Sequence, residues 1–133
     1  MELKNKKRTF LDSVKDCLRG IKDTIKNEIN FIRELIMGLL VIICGFIFKL
    51  SLFEWIIIIL LITLVLVGEL INTAIEKTVD LYTKEYNELA RTIKDTAGGA
   101  VLITSIASAI IGLLIFIPKI INLMEELLWK KNY

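Results

Sequence analysis

Three long apolar segments constrain this chain more than any other feature of its sequence. They are Leu35–Leu50, Leu52–Gly68 and Ala97–Pro118, and the last carries no charge in 22 residues. A bilayer core about 30 Å thick needs roughly 20 helical residues to cross it. The third segment meets that length outright, whereas the second does so only if its helix continues through Glu69 and Asn72.

The composition favours segregation into apolar and polar stretches within one domain. The chain has 133 residues, 55% of them hydrophobic and 24% charged, with 7 glycines and 1 proline. A disordered chain lacks this much apolar material, and so few turn residues argue against an all-β fold. A soluble helical bundle is the alternative, but three such segments leave too little polar surface to cover them. We therefore expect an all-α membrane protein, formed by a single domain over residues 1–133.

Several classes of function are excluded by what the sequence lacks. The chain contains no histidine, which removes Ser-His catalysis, imidazole proton shuttles and zinc sites of the usual kind. Its formal net charge is +2, so no nucleic-acid footprint stands out. Neither a P-loop nor the protein-kinase motifs occur.

The N-terminal segment has the pattern of a basic amphipathic helix over residues 9–29. Residues 1–33 carry nine lysines and arginines. The apolar residues recur at helical spacing, at Phe10, Val14, Leu18, Ile21, Ile25 and Ile29. Such a helix lies on an anionic membrane surface or packs against other protein, and the pattern fits both.

The distribution of basic residues predicts the topology of the spans. We expect transmembrane helices at residues 33–50, 53–75 and 97–118, followed by an interfacial tail at 119–133. With the N-terminus inside, thirteen basic residues lie on the cytoplasmic side and four on the other. The positive-inside rule then places the N-terminus in the cytoplasm and the C-terminus outside.

A stripe of polar side chains follows the second apolar segment. Glu69, Asn72, Glu76 and Asp80 have offsets of 0, 3, 7 and 11 residues, which places them within about 80° of one another on a helix. A carboxylate at membrane depth is costly and indicates function by default. Pairing with a neighbouring span is the structural alternative for Glu69 alone, but packing does not require four polar residues in register.

Clustered carboxylates without histidine or cysteine indicate a hard cation such as Mg²⁺. Glu28, at the end of the basic helix, and Glu76 are candidates to hold it between two helices. Lys94 and Asp95 precede the third apolar segment, where a lysine can bind phosphate. Taken singly, each is also compatible with an ordinary interfacial charge.

These motifs resemble the small integral-membrane lipid kinases of bacteria, the prokaryotic diacylglycerol kinase and undecaprenol kinase family. The match is carried by ELINTAIEKTVDL (Glu69 to Leu81), KDTAGGAVL (Lys94 to Leu102) and NEINFIRE (Asn27 to Glu34). The strings FEW (Phe53 to Trp55) and IFIPK (Ile115 to Lys119) look like the undecaprenol-type branch of Gram-positive bacteria.

The resemblance implies a homotrimer in the bacterial cell membrane, each subunit with a surface helix and three spans. Members of the family transfer the γ-phosphate of ATP, with Mg²⁺, to a lipid hydroxyl at the cytoplasmic interface. Carried over by motif, Glu69 would be the general base, and Glu28 and Glu76 would bind the metal. The nucleotide would be contacted by Asn72, Glu76, Asp80, Glu85, Tyr86, Asn87, Lys94 and Asp95. The lipid would be contacted by Asn27, Asn30, Phe31, Ile32, Arg33, Glu34, Glu69 and Gly98.

Two functional alternatives belong to other classes. A small oligomeric proton-coupled transporter or channel subunit would also embed one glutamate, but would place it nearer the midplane and has no use for the rest of the stripe. A holin-like structural protein explains the stripe even less. Between acceptors, FEW and IFIPK favour undecaprenol, while EYNELA (Glu85 to Ala90) is closer to the diacylglycerol type.

Overall fold

Four α-helices make up the described part of the chain. The computed structural model describes residues 8–132, with side chains through residue 130, and contains no strand in that range. The helices are α1 (Phe10–Asn27), α2 (Ile29–Ile47), α3 (Leu52–Tyr82) and α4 (Glu88–Asn132). The all-helical fold is therefore confirmed. Lys4, Lys6 and Lys7 of the basic N-terminal segment lie outside the described residues.

Helix α1 begins with a reciprocal cap. The Thr9 hydroxyl accepts a hydrogen bond from the Asp12 amide at 3.2 Å, and the Asp12 carboxylate accepts one from the Thr9 amide at 3.1 Å. The Thr9 hydroxyl also donates to the Asp12 carboxylate at 2.8 Å, and the two bonds that this carboxylate accepts from Thr9 hold the pKa of Asp12 below its ordinary value. The helix ends at Asn27 because Glu28 is extended, with φ −113° and ψ 105°. Helix α2 starts immediately afterwards, four residues before the span predicted from 33.

A tight hairpin joins α2 to α3. Lys49 has a left-handed backbone, with φ of 51°, and the Leu50 amide donates to the Gly45 carbonyl at 3.0 Å. A side chain at Gly45 would place its Cβ 2.7 Å from Cη2 of Trp55. The Phe46 and Trp55 rings pack beside this point, with centroids 4.9 Å apart. Only glycine allows the two helices to come this close.

The beginning of α3 is tied to α4. The Glu54 carboxylate accepts from the amide of Ser51 at 2.7 Å and from its hydroxyl at 2.8 Å, closing a capping box. The same carboxylate lies 3.0 Å from Lys119 Nζ on α4. The Phe48 and Phe116 rings also meet here, with centroids 5.9 Å apart. We call this region, residues 45–55 with 116–119, the far end.

Helix α4 is much longer than the span predicted within it. Asn87 caps it, since its Oδ1 accepts from the amides of Leu89 and Ala90 at 2.9 and 3.1 Å. From Glu88 the helix continues through Pro118 to Asn132, so the predicted span at 97–118 and tail at 119–133 form one helix over the described residues. At a rise of 1.5 Å per residue, its 45 residues extend about 67 Å.

Most apolar side chains lie on the outside of the bundle. The buried apolar residues of the described part are Phe31, Leu50, Ile58 and Ala97. Large apolar side chains on every helix are instead exposed, which is the reverse of a water-soluble bundle. Three helices, Ile29–Ile47, Leu52–Tyr82 and Glu88–Lys130, are long and apolar enough to cross a membrane. The chain is a membrane protein, as its apolar segments predict.

Helix α3 is the central element. It packs along α4 most extensively and along α2 next, while α1 packs against α2 and α3. The antiparallel arrangement therefore gathers three pieces at one end of the bundle: residues 28–34, residues 69–80 of α3, and residues 88–98 of α4. We call this region the site end.

Candidate active site

The polar stripe of α3 runs from a buried carboxylate to an exposed one. Glu69 and Asn72 are only 5% and 7% exposed, Glu76 is half-buried and Asp80 is exposed. The Asn72 amide nitrogen donates to Glu76 Oε1 at 3.2 Å. The stripe predicted from helical offsets is thus a graded path from the interior of the bundle to its surface.

Glu28 reaches the stripe from another element. It stands at the break between α1 and α2 and interacts electrostatically with Glu69, as does Glu76. Its Oε1 lies 3.0 Å from Nζ of Lys77 on α3. The structure therefore places the two predicted metal ligands, Glu28 and Glu76, within electrostatic range of the same buried carboxylate.

Lys94 connects α4 to the end of the stripe. Its ammonium forms an ion pair with the Asp80 carboxylate, across the α3–α4 contact. Asp95 instead pairs with Arg91 at 2.9 Å on its own helix. Lys94 is therefore brought to α3, and Asp95 is held along the exposed side of α4.

The predicted nucleotide residues Glu85, Tyr86 and Asn87 lie in the connection between α3 and α4. Their polar contacts are local. The Glu85 amide donates to Thr83 Oγ1 at 3.2 Å, the Tyr86 hydroxyl donates to Glu88, and the Asn87 side chain caps α4. This exposed connection borders the site end without joining the stripe directly.

An elongated apolar cavity of about 610 Å³ lies between α2, α3 and α4. Arg33 and Glu34 line it towards the site end, and its walls extend past Ile58 to Phe116 near the far end. Glu34 also interacts electrostatically with Glu69. The polar stripe and the apolar cavity therefore meet at Glu34.

The remaining predicted lipid contacts lie in three different environments. Phe31 is buried at 3% exposure and Ile32 is half-buried, both beside the α1–α2 break. Asn27 and Asn30 are exposed and bond locally, to the Asp23 carbonyl at 2.8 Å and to Arg33 at 3.2 Å. Gly98 on α4 has open space around it, since a Cβ there would meet nothing within 4 Å.

The donor set suits a cation that is bound jointly with phosphate. Within the described range, no three acidic or cysteine side chains converge to form a metal cage. The Asn72 Oδ1 atom is buried without a hydrogen-bond partner among the described residues, and Asn72 contacts Glu76. Mg²⁺ usually takes one or two carboxylates and completes its shell with water and substrate phosphate oxygens. Glu28, Glu76 and the Asn72 oxygen fit that pattern.

Thr73 and Lys77 are polar residues of the site end, close to the predicted side chains, that the sequence analysis did not identify. Thr73 is buried at 4% exposure, and its offset of four residues from Glu69 places it on the same face, so spacing could have revealed it. Lys77 contacts Glu28, which belongs to a different element 49 residues earlier. No local pattern reports a contact of that kind.

Comparison with known proteins identifies a family and several relatives that this chain resembles. The family "Prokaryotic diacylglycerol kinase" matches residues 15–116. The undecaprenol kinase of Bacillus subtilis is 46% identical over 117 residues, which cover 88% of this chain and 95% of that protein. The diacylglycerol kinase of Synechocystis sp. is 35% identical over 79% of this chain and 61% of its own length. The diacylglycerol kinase of Haemophilus influenzae is 33% identical over 71% of this chain and 80% of its own length.

The matched segment contains the whole polar stripe, the α1–α2 break, the walls of the cavity and Lys94. The resemblance read from the sequence motifs is thereby confirmed over most of the chain. This chain belongs to the prokaryotic diacylglycerol kinase family.

Proposed function

We propose that this chain is a lipid kinase that transfers the γ-phosphate of ATP, with Mg²⁺, to a lipid hydroxyl, undecaprenol being the favoured acceptor and diacylglycerol the next. One observation carries the proposal. A stripe that ends in a buried carboxylate, Glu69, meets an apolar cavity at Glu34. Such a junction suits a reaction between a water-soluble phosphate donor and an apolar acceptor.

Glu69 acts as the general base on the acceptor. Its carboxylate accepts the hydroxyl proton as the lipid oxygen forms a bond to the γ-phosphorus. The bond from that phosphorus to the β–γ bridging oxygen breaks, and ADP leaves with the electron pair. A base placed within hydrogen-bond reach contributes a factor of about 10²–10⁴.

The triphosphate is held from two sides. Lys94 supplies positive charge from α4, and Glu28 and Glu76 would hold Mg²⁺, assisted by Asn72. Bound there, the metal would neutralise charge on the phosphate oxygens and align the donor. Asp80 orients Lys94 through their ion pair. Glu85, Tyr86, Asn87 and Asp95 border the nucleotide on the exposed side.

The cavity receives the hydrocarbon chain of the acceptor. Arg33 and Glu34 stand at its polar mouth, and Asn27, Asn30, Phe31 and Ile32 line the approach from the surface helix, with Gly98 on the α4 side. Undecaprenol is favoured by the FEW and IFIPK strings and by the 46% identity to an undecaprenol kinase, against 35% and 33% for the diacylglycerol kinases.

The enzyme is a homotrimer in the bacterial cell membrane, with its N-terminus and active site in the cytoplasm. The excess of basic residues on the N-terminal side supports that orientation. Helix α1 lies on the membrane surface, with Phe10, Leu18 and other exposed apolar residues towards lipid. Residues 1–133 act as one domain, and a neighbouring subunit covers the open side of the stripe at Glu76 and Asp80.

A proton-coupled transporter is the weaker hypothesis. It needs only a buried glutamate, and it gives no reason for Glu28 and Glu76 to lie within electrostatic range of Glu69 or for Lys94 to pair with Asp80. In addition, the chain belongs to a family of kinases.

Phosphate transfer from labelled ATP tests the proposal. Protein purified in detergent is offered undecaprenol and diacylglycerol in parallel, with Mg²⁺ or with EDTA. Glu69→Gln removes the proposed base, and Glu125→Gln makes the same chemical change on the exposed α4 tail as a matched control. We expect Mg²⁺-dependent transfer by the wild type and by Glu125→Gln, with undecaprenol the better acceptor, and loss of turnover in Glu69→Gln.

Transfer that survives Glu69→Gln would remove Glu69 from the base role while leaving the kinase assignment intact. No transfer to either lipid from folded, oligomeric protein would defeat the kinase proposal itself. A preference for diacylglycerol would reverse the assignment of the acceptor.

A further inference from the structure

Glu28 occupies a position where glutamate is a poor structural choice. Glu28 is both the C-cap of α1 and the N-cap of α2, and its backbone is extended. Serine, threonine, aspartate and asparagine are preferred at the start of a helix because their short side chains reach back to the backbone amides. The Glu28 side chain makes no such bond. Its carboxylate is directed elsewhere.

The carboxylate is directed to Lys77. Glu28 Oε1 and Lys77 Nζ lie 3.0 Å apart, and the two side chains are 28% and 51% exposed. Lys77 directly follows Glu76 on α3. The contact also links the α1–α2 break to α3. Glu28, Glu69 and Glu76 interact electrostatically without converging into a metal cage in the described range, and we call these three residues the acidic cluster.

The acidic cluster needs a cation. Glu69 experiences the charge of both Glu76 and Glu28, and carboxylates that share a site repel one another. The Glu28 carboxylate is therefore most stable beside a positive charge, and any other cation that binds it competes with the charge already there. In the described structure, that charge comes from Lys77.

We propose that Lys77 is a stand-in cation for the divalent metal: its ammonium neutralises the Glu28 carboxylate until a metal–nucleotide complex displaces the ammonium from that carboxylate. The inference rests on the proposed function, because it takes Glu28 as a metal ligand. Lys77 acts through Glu28 and does not touch the substrate.

The Glu28–Lys77 ion pair is weak enough for a bound metal to displace it. A pair this exposed changes an equilibrium by at most about fivefold, so the metal can displace it at little cost. A buried pair would compete far more strongly. The exposed lysine therefore neutralises Glu28 without blocking the site.

Binding of a metal–nucleotide probe tests the inference without relying on turnover. The probe is the Mn²⁺ complex of β,γ-methylene ATP, titrated by calorimetry into protein in nanodiscs of uncharged phosphatidylcholine. The same nucleotide with EDTA measures binding without metal. Lys77→Met removes the ammonium, Lys77→Arg retains a cation, and Lys15→Met removes the same charge from the exposed side of α1.

We expect Lys77→Met to bind the Mn²⁺ complex about two- to fivefold more tightly than the wild type, since the metal no longer competes with the ammonium. Binding of the metal-free nucleotide should not tighten. Lys77→Arg should restore the wild-type affinity, and Lys15→Met should match the wild type.

Unchanged or weaker binding of the Mn²⁺ complex by Lys77→Met would overturn the inference. Equal changes with and without metal would also overturn it, because they would make Lys77 a phosphate contact. The proposed function stands if the wild type transfers phosphate and the Glu28→Gln variant binds the Mn²⁺ complex more weakly than the wild type. In that case, unchanged binding by Lys77→Met overturns only the inference about Lys77. If the Glu28→Gln variant binds the Mn²⁺ complex as well as the wild type does, the metal role of Glu28 and the inference fail together.

Discussion

The two ends of the bundle treat their carboxylates in opposite ways. At the far end, Glu54 is satisfied by the Ser51 amide, the Ser51 hydroxyl and Lys119, all within 3.0 Å. At the site end, Glu34 Oε2 and Asn72 Oδ1 are buried without a hydrogen-bond partner among the described residues. The bonds to Glu54 stabilise the folded state, whereas a buried oxygen without a hydrogen-bond partner destabilises it. The contrast indicates that the far end is built for stability and the site end for a bound ligand.

The largest expected effect separates activity from stability at the two ends. Glu69→Gln should lower kcat by about 10²–10⁴ because it removes the base, with little change in the unfolding midpoint. Glu54→Gln should leave kcat within about twofold and lower the midpoint by about 3–6 °C, because it weakens a cap and an ion pair. Steady-state kinetics and thermal unfolding in micelles measure both. If Glu54→Gln were as inactive as Glu69→Gln, the two ends would not differ in role.

A smaller effect distinguishes two ion pairs that join α4 to α3, Lys94–Asp80 and Lys119–Glu54. Lys94→Met should raise the KM for ATP by about 10- to 100-fold, the value of a charge-assisted contact to phosphate. Exchanging the charges in the double variant Asp80→Lys, Lys94→Asp should restore the ion pair but not the KM. The corresponding exchange at Glu54 and Lys119 should preserve the KM. Recovery of ATP affinity in the first exchange would make Lys94 a structural residue only.

Glycine substitutions give a comparison in stability. Gly45→Ala places a methyl group 2.7 Å from the Trp55 ring, and overpacking of this kind costs about 1–3 kcal/mol. Gly98→Ala meets nothing within 4 Å and should stabilise α4 by about 0.5–1 kcal/mol through helix propensity. Unfolding midpoints should therefore move in opposite directions. A drop for Gly98→Ala would show that its apparent open space is filled in the membrane.

The smallest effect concerns the two capping boxes. The Asp12 carboxylate is held by Thr9, which keeps the pKa of Asp12 below its ordinary value of 3.8, and it lacks the lysine that Glu54 has. The ionised cap stabilises α1 at pH above that value, and this stabilisation is lost as the pH falls through the lower folded pKa. Hydrogen exchange of residues 12–14 should therefore accelerate, relative to intrinsic rates, only below pH 3.8. A Thr9→Ala variant should show the faster exchange already at neutral pH.

Spans and the stripe could be predicted because they depend on local periodicity. Uncharged length identified the membrane helices, and the offsets of Glu69, Asn72, Glu76 and Asp80 placed them on one face. The helix bounds were harder to predict. Glu28 ends α1 through its backbone conformation, and α4 passes through Pro118, a residue that usually marks the end of a helix.

Contacts between elements could not be predicted from spacing. The pairs Lys77–Glu28 and Lys94–Asp80 join side chains from different helices, and their partners are fixed by how the helices pack. The cavity between α2, α3 and α4 has the same origin. The roles given to Glu85, Tyr86 and Asn87 remain predictions, because their polar contacts are local to the α3–α4 connection.

The outward distribution of apolar side chains determines which positions of this sequence tolerate substitution. In a water-soluble protein, the interior tolerates few substitutions and the surface tolerates many. Here, outward-facing positions such as Leu39, Leu64 and Leu114 require only that a side chain be apolar, so leucine, isoleucine and valine are nearly interchangeable there. The packing of the helices depends on a small inner set of buried residues that includes Phe31 and Ile58. A library that randomised the outer positions among apolar residues would leave the kinase largely intact, whereas one change within the inner set would not.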